Sequence, residues 1–352
     1  MNTFGKYIRL TTFGESHGTQ IGGILDGLPA NLSIDFAWIE KMMQKRRPGQ
    51  SNLTTSRDED DAVEIVSGIN ENKTTGAPIS FFIKNKNQKS NDYDYLKKVY
   101  RPSHADFTYA QKYQNYDVRG GGRSSARETA NWVAAAAIIQ PLLNNIEFST
   151  YVSQIGDISL EKRYEFYQES QIDLSIVKCP EPEISKKMEA LVYQTKEKGD
   201  SVGGIITCII RNVPIGLGQP IFDKLEARLA LAMLSINASK GFEIGEGFQS
   251  ASMFGSQHND VFIENNKTKT NHSGGTLGGI SNGMDIQFRV AFKPVSTIFI
   301  PQETKDIDGN DTVLINKGRH DPCVVPRAVV IVESMAKLVL ADFILASKLD
   351  AI

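Results

Sequence analysis

The stretch Arg119-Gly120-Gly121-Gly122-Arg123-Ser124-Ser125-Ala126-Arg127-Glu128-Thr129 limits this chain more than any other. Three consecutive glycines carry no Cβ, so the backbone can come very close to a ligand or a neighbouring segment. Three arginines and two hydroxyls interleave with them, and these groups suit phosphate or carboxylate oxygens. An alanine-rich run follows, Ala126 to Gln140, with Trp132, Val133, Ile138 and Ile139 in it, and it reads as a helix. Ser125 to Glu128 fits the S-x-x-E capping box, with Ser125 as N-cap and Glu128 as its reciprocal partner. A glycine-rich loop feeding a capped helix N-terminus forms an anion site. The competing readings are a plain turn with surface arginines and an Arg-Gly nucleic-acid segment. The latter is polar and repetitive and would not enter an apolar helix.

The 352 residues allow one large domain or two ordinary ones; no low-complexity linker divides them, so one domain over 1–352 is expected. A net charge of −2 offers no global field to nucleic acid or an anionic membrane, so any anion site is local. Cys179, Cys208 and Cys323 are odd in number and form no CxxC, which argues against a disulfide framework or zinc and for a reducing compartment. The N-terminus lacks the apolar core of a signal peptide. The longest apolar run, Ala328 to Leu345, is broken by Glu333, Lys337 and Asp342 and reads as a buried amphipathic helix, not a membrane span. A soluble cytoplasmic protein is expected.

Residues 7–14 read as a strand ending in Gly14-Glu15-Ser16-His17-Gly18, a turn into a second strand over Gln20 to Leu25. Ser33 is expected to cap a helix through Lys45, closed by Lys45-Arg46-Arg47 at its negative dipole end and stopped by Pro48-Gly49. Strands are expected at Ile79 to Ile83, within 150–180, at Val202 to Ile210 and near Ile286 to Phe292. Further helices are expected over Pro182 to Lys198 and Ile221 to Ile236, and residues 84–98 read as a surface loop. Gly22-Gly23-Ile24-Leu25 and Gly203-Gly204-Ile205-Ile206 each lead past a proline into a helix. Two such units suit a pseudo-symmetric α+β sandwich.

Three of the five histidines, His17, His104 and His320, lie in glycine- or proline-rich loops that also carry Ser, Asp or Arg. A lone loop histidine is most often a solvated surface residue; three in such company point to proton transfer near neutrality. Asp321 follows His320 and is placed to relay protons. No HExxH or HxxxH occurs, so a metal is not expected. Gly14-Glu15-Ser16-His17-Gly18 is out of register with G-x-S-x-G, and neighbours in an extended turn seldom face each other, so a serine hydrolase is not favoured. Arg46, Arg47, Arg101, Arg119, Arg123, Arg127 and Arg319 all sit in loops or at helix ends. Such a set implies a small ligand with phosphate and carboxylate groups, beside a phosphate-bearing cofactor.

These motifs, with Arg46-Arg47-Pro48-Gly49, Arg101-Pro102-Ser103-His104-Ala105-Asp106, Ser235-Ile236-Asn237-Ala238, Asn271-His272-Ser273-Gly274-Gly275, Lys293-Pro294-Val295-Ser296-Thr297 and Gly318-Arg319-His320-Asp321-Pro322-Cys323, resemble the chorismate synthase family. They follow the family's order from residue 4 to about 343. The resemblance implies a β-α-β sandwich, a homotetramer, and loss of phosphate and a ring proton from 5-enolpyruvylshikimate 3-phosphate with reduced FMN. By similarity His17 protonates the reduced flavin, His104 assists the departing phosphate and Asp321 assists proton removal through flavin N5. Ser16, Arg46, Arg101, Ser125 and Arg127 would hold substrate. Arg123, Ser124, Ser125, Asn237, Ala238, Gly278, Lys293, Pro294, Val295, Ser296, Thr297 and Arg319 would contact FMN, and Arg46 with Asn52 would serve NADP.

One position departs from the family. Asn52 stands where a second arginine follows the Arg-Pro-Gly turn; either Arg57 takes over part of its role or the enzyme binds its substrate or NADP more weakly. Two other classes compete: a non-catalytic FMN or phosphate-ligand binding protein, and an RNA-binding protein using the Arg-Gly loop. The first would be expected to lose His17, His104 or Asp321, and all three are present; the balanced charge disfavours the second.

Overall fold

A computed structural model describes residues 1–47, 61–85, 99–115, 119–316 and 321–350. Two five-stranded antiparallel sheets enclose a layer of helices. Across the first run Thr3–Phe4, Arg9–Gly14, Gln20–Asp26, Ile79–Lys84 and Val63–Ile65; across the second run Ser239–Ile244, Ile286–Phe292, Gly204–Arg211, Glu147–Ile155 and Ile158–Ser159. The helix Thr129–Ile138 packs on the first sheet and on the long helix Val325–Asp350, which packs on the second. The β-α-β sandwich is therefore what forms.

The two Gly-Gly segments open the middle strand of each sheet or lie within it, as the proposed duplication requires. Close packing explains the first pair. A Cβ on Gly22 would stand 2.4 Å from the Phe13 ring and 2.5 Å from the Phe81 carbonyl, distances no side chain tolerates. The long helix is buried along Val325 to Phe343 because both of its faces meet protein. Its Lys337 is satisfied by Glu333 at 2.8 Å and lies over the Trp38 and Phe148 rings. Among the described residues no helix is long and apolar enough to cross a membrane.

Several local expectations are corrected. The helix at Ser33 begins later, at Phe36, because Asp35 accepts from the Trp38 N–H at 3.0 Å, while Ser33 bridges to Lys73. Ser125 does cap, accepting from Arg127 N–H, but only a 3-10 turn over Ala126–Glu128; the α-helix starts at Thr129. Glu128 does not reach back. It ion-pairs Arg123 at 2.7 Å and accepts from Asn131, a stronger partner than an N–H. Within 150–180 only Glu147–Ile155 and Ile158–Ser159 are strands, the rest being short helices and turns. The helix expected from Ile221 is Leu225–Leu234. Lys84 ends a strand and Asn85 is buried, so the segment taken as surface loop does not begin at 84. Pro48-Gly49, Asn52, Arg57, Arg319, His320 and residues 86–98 lie outside the described residues.

Candidate active site

A circuit of hydrogen bonds and ion pairs, with the neighbouring charges of Arg327 and Arg46 completing it, gathers segments far apart in sequence. The turn at Glu15-Ser16-His17-Gly18 is tight, its Gly18 N–H donating to Glu15 O at 3.0 Å. Ser16 N–H meets the Gly122 carbonyl, and Arg123 reaches Gly14 O at 3.2 Å. Asn237 donates to Ser124 O at 2.7 Å, and Lys293 N–H donates to Ala238 O at 2.9 Å. From there Ser201 Oγ donates to Val295 O at 2.6 Å, and Val202 N–H to Pro322 O at 2.9 Å. Asp321 ion-pairs Arg327, whose charge is near enough to Arg46 to repel it. Arg46 and Arg127 share Asp61. Asn85 closes the circuit, accepting from Arg127 Nε at 2.9 Å and donating to Glu15 O at 3.1 Å and Gly18 O at 2.8 Å.

His104 joins from outside the circuit. Its Nε2 lies 2.8 Å from Thr297 Oγ1, while Lys293 Nζ and Ser296 Oγ both donate to Ser103 O. The loop that carries His104 is thus fastened to the Lys293–Thr297 segment. Arg101, in the same loop, is held by Asp106 through two 2.7 Å bonds. Burial raises the Asp106 pKa, but the hydrogen bond and charge of Arg101, with His104 behind them, win and hold it below the usual carboxylate value.

Asp61 is the electrostatic centre. Burial pushes its carboxyl up, yet the charges and hydrogen bonds of Arg46 and Arg127 outweigh it and the pKa lies below 3.8. Burial brings the Arg46 guanidinium down to about 10, with Arg127 and Arg327 adding repulsion and Asp61 opposing them. Arg46 does end its helix, with Lys45 beside it in the last turn as expected, and it is also 4% exposed, donating from Nε to Thr129 and from Nη2 to Ala126 O. A guanidinium has five N–H donors, and among the described residues the contacts of Arg46 and of Arg127 (Asn85, Asp61, Lys84 O) use three each.

Not every candidate belongs to the circuit. Gly278 lies on a hairpin turn whose neighbour Gly279 accepts from Leu225 N–H at 2.8 Å, at the opening of Leu225–Leu234. Asn237 follows the other end of that helix, so a single chain does not unite the two. Ser16 Oγ and His17 Nδ1 do face each other, at 3.2 Å, because the turn is tight and not extended. His272 and His258 stack at 5.7 Å, outside the circuit, and pair with Glu246 and Ser250. Among the described residues no group of three or more His, Cys, Asp or Glu is placed to hold a metal.

Sequence reasoning misses Asp61, Asn85 and Arg327. Asp61 hides in a run of acids and Asn85 in a polar stretch; Arg327 sits two residues into a helix whose apolar run draws the eye elsewhere. A cavity of about 760 Å³ adjoins the circuit at Gly14, Glu15, Gly122 and Arg123, with Trp132 and Leu338 on its apolar wall. That is ample for a cofactor-sized molecule.

A sequence profile described as chorismate synthase matches residues 8–345. A protein named chorismate synthase from Christiangramia forsetii is 56% identical over 347 residues, covering 99% of this chain and 98% of that one. Another of that name from Bacteroides fragilis is 54% identical, covering 99% of each. A solved structure titled as the crystal structure of chorismate synthase superposes with a TM-score of 0.75 at 32% identity, covering 98% of this chain and 93% of that one.

Proposed function

This chain belongs to the chorismate synthase family, and we propose that it converts 5-enolpyruvylshikimate 3-phosphate to chorismate and phosphate by a 1,4-elimination requiring reduced FMN. The reaction is that of a carbon–oxygen lyase, the last step of the shikimate pathway toward aromatic amino acids. The observation that carries the reading is the circuit itself. It links the segments that carry His17, Asp321, Arg46, Arg127 and Asn237 with Lys293–Thr297, to which the His104 loop is fastened, and this supports the reading.

The residues present fit FMN. Asn237 Oδ1 is buried with no hydrogen-bond partner among the described residues, while its Nδ2 is fixed to Ser124 O, so an acceptor is held ready for a ligand N–H or O–H. Arg123, Ser124, Ser125, Asn237, Ala238 and Lys293 to Thr297 would hold the cofactor, and its reduced form when bound lends electron density that helps expel phosphate. Gly278 would contact FMN only through another copy of the chain, in keeping with a homotetramer.

The chain's own groups meet the two difficulties of the elimination. Arg46, Arg101 and Arg127, with Ser16 and Ser125, bind substrate anions, and their fixed positive charge stabilises the charge developing on the leaving phosphate. His104, oriented by Thr297, donates a proton to that phosphate. His17, held by Ser16 and the tight turn, keeps a second proton in the site. Asp321 assists removal of the weakly acidic ring proton. Arg46 with Asn52 and Arg57 would receive NADPH where it serves as flavin reductant. The cytoplasm is the compartment that fits three buried free thiols.

Mixing enzyme, reduced FMN and substrate without oxygen, and following inorganic phosphate, tests the reading. Phosphate released at a rate proportional to enzyme supports it. A protein that binds FMN and substrate yet releases none would be the non-catalytic binding protein.

A further inference from the structure

We propose that Arg327 is a positioning residue for Asp321, fixing its carboxylate in the site. The proposal rests on the chorismate synthase reading, because it gives Asp321 the proton to remove. It concerns a residue that none of the sequence motifs includes.

Three observations carry it. Arg327 Nη1 ion-pairs Asp321 Oδ2, and the two side chains are only 17% and 11% exposed, so solvent screens the pair weakly. Arg327 Nε is buried with no hydrogen-bond partner among the described residues. A buried unmade donor carries an uncompensated desolvation cost, and packing alone gives no reason to keep one. Finally, Arg327 stands close enough to repel Arg46, which costs further free energy. A residue serving stability alone would not sit two residues into a helix with a second buried guanidinium beside it.

Local structure explains how the pair forms. Asp321-Pro322-Cys323-Val324 leads directly into Val325–Asp350, and Arg327 N–H donates to Val324 O at 3.1 Å. The side chain of the third helical residue thereby returns toward the segment before the helix. Asp321 also lies near the positive end of that helix. Val202 N–H bonds Pro322 O, so the segment that bears the carboxylate is tied to the second sheet while its charge is tied to the long helix. Arg46, beside Arg327, is balanced chiefly by Asp61.

The experiment compares wild type, Arg327→Lys and Arg327→Met in the anaerobic reaction with reduced FMN. Arg327→Met is expected to lower kcat about 10- to 100-fold, the worth of a hydrogen bond to a charged group, with the substrate KM within about twofold. Arg327→Lys restores the charge without the fork and recovers part of the lost kcat. If kcat of both variants falls only in proportion to folded, FMN-binding protein, Arg327 is merely structural and the proposal fails. An inactive wild type instead overturns the reading beneath it.

Discussion

Asp61 lies fully buried against Arg46, its Oδ2 accepting from Arg46 Nη1 at 2.8 Å, and its other oxygen takes Arg127. One carboxylate therefore holds together two guanidinium groups that sequence reasoning assigns to the substrate. Its backbone is left-handed, with φ of 49°, a conformation aspartate tolerates better than most residues.

Asp61→Asn is expected to cost about 3–5 kcal/mol, since removing one partner of a buried ion pair leaves the rest uncompensated. The pH dependence has a definite sign. A carboxyl held below its ordinary 3.8 contributes stability that is complete above that value and lost as pH falls through the lower folded value. Denaturant melts from neutral pH into strong acid should show wild type losing stability more steeply than Asp61→Asn below pH 3.8. Parallel curves would show that the carboxylate is not linked to folding.

His104 depends on Thr297 for its orientation, through the 2.8 Å contact. Thr297→Val keeps the shape and removes the hydroxyl, and should lower kcat about 3- to 10-fold, one neutral hydrogen bond's worth. Steady-state kinetics at saturating FMN checks this, and an unchanged kcat would mean that His104 is oriented by something else.

Asn85 ties the His17 turn to Arg127. Asn85→Ala should destabilise by about 1–3 kcal/mol, because Gly18 O and Arg127 Nε lose their bonds to Asn85 and Glu15 O keeps only its Gly18 partner. Thermal melts measure the first effect. Substrate titration should show KM rising more than kcat falls, because the arginine moves more than the histidines.

Asn237→Ala removes both the bond to Ser124 O and the waiting acceptor. FMN affinity should weaken about tenfold or less, with substrate KM unaltered. Flavin fluorescence titration gives the answer directly, and an unchanged Kd would place the cofactor elsewhere.

The architecture was legible where sequence periodicity and turn residues agree. Gly22-Gly23 and Gly203-Gly204 marked the middle strands, and the broken apolar run marked the buried long helix. Helix starts were less so, since Asp35 and Ser33 are equally good caps on paper and only tertiary pairing of Ser33 with Lys73 decides between them. Motifs identified His17, His104 and Arg127 because loops rich in glycine advertise close approach. Asp61, Asn85 and Arg327 stayed hidden because their meaning lies in partners 15 to 70 residues away or across a helix start. Glu128 shows the reverse failure: a local capping rule pointed correctly at the residue and wrongly at its partner, because an arginine outcompetes a backbone N–H.

The most direct measurement is chorismate formation from 5-enolpyruvylshikimate 3-phosphate under strict anaerobiosis with chemically reduced FMN, beside a second reaction in which NADPH replaces the reductant. The account predicts chorismate in the first, in equal amount to phosphate, and the second then decides whether flavin reduction is intrinsic. No chorismate in either, with FMN bound, would contradict it.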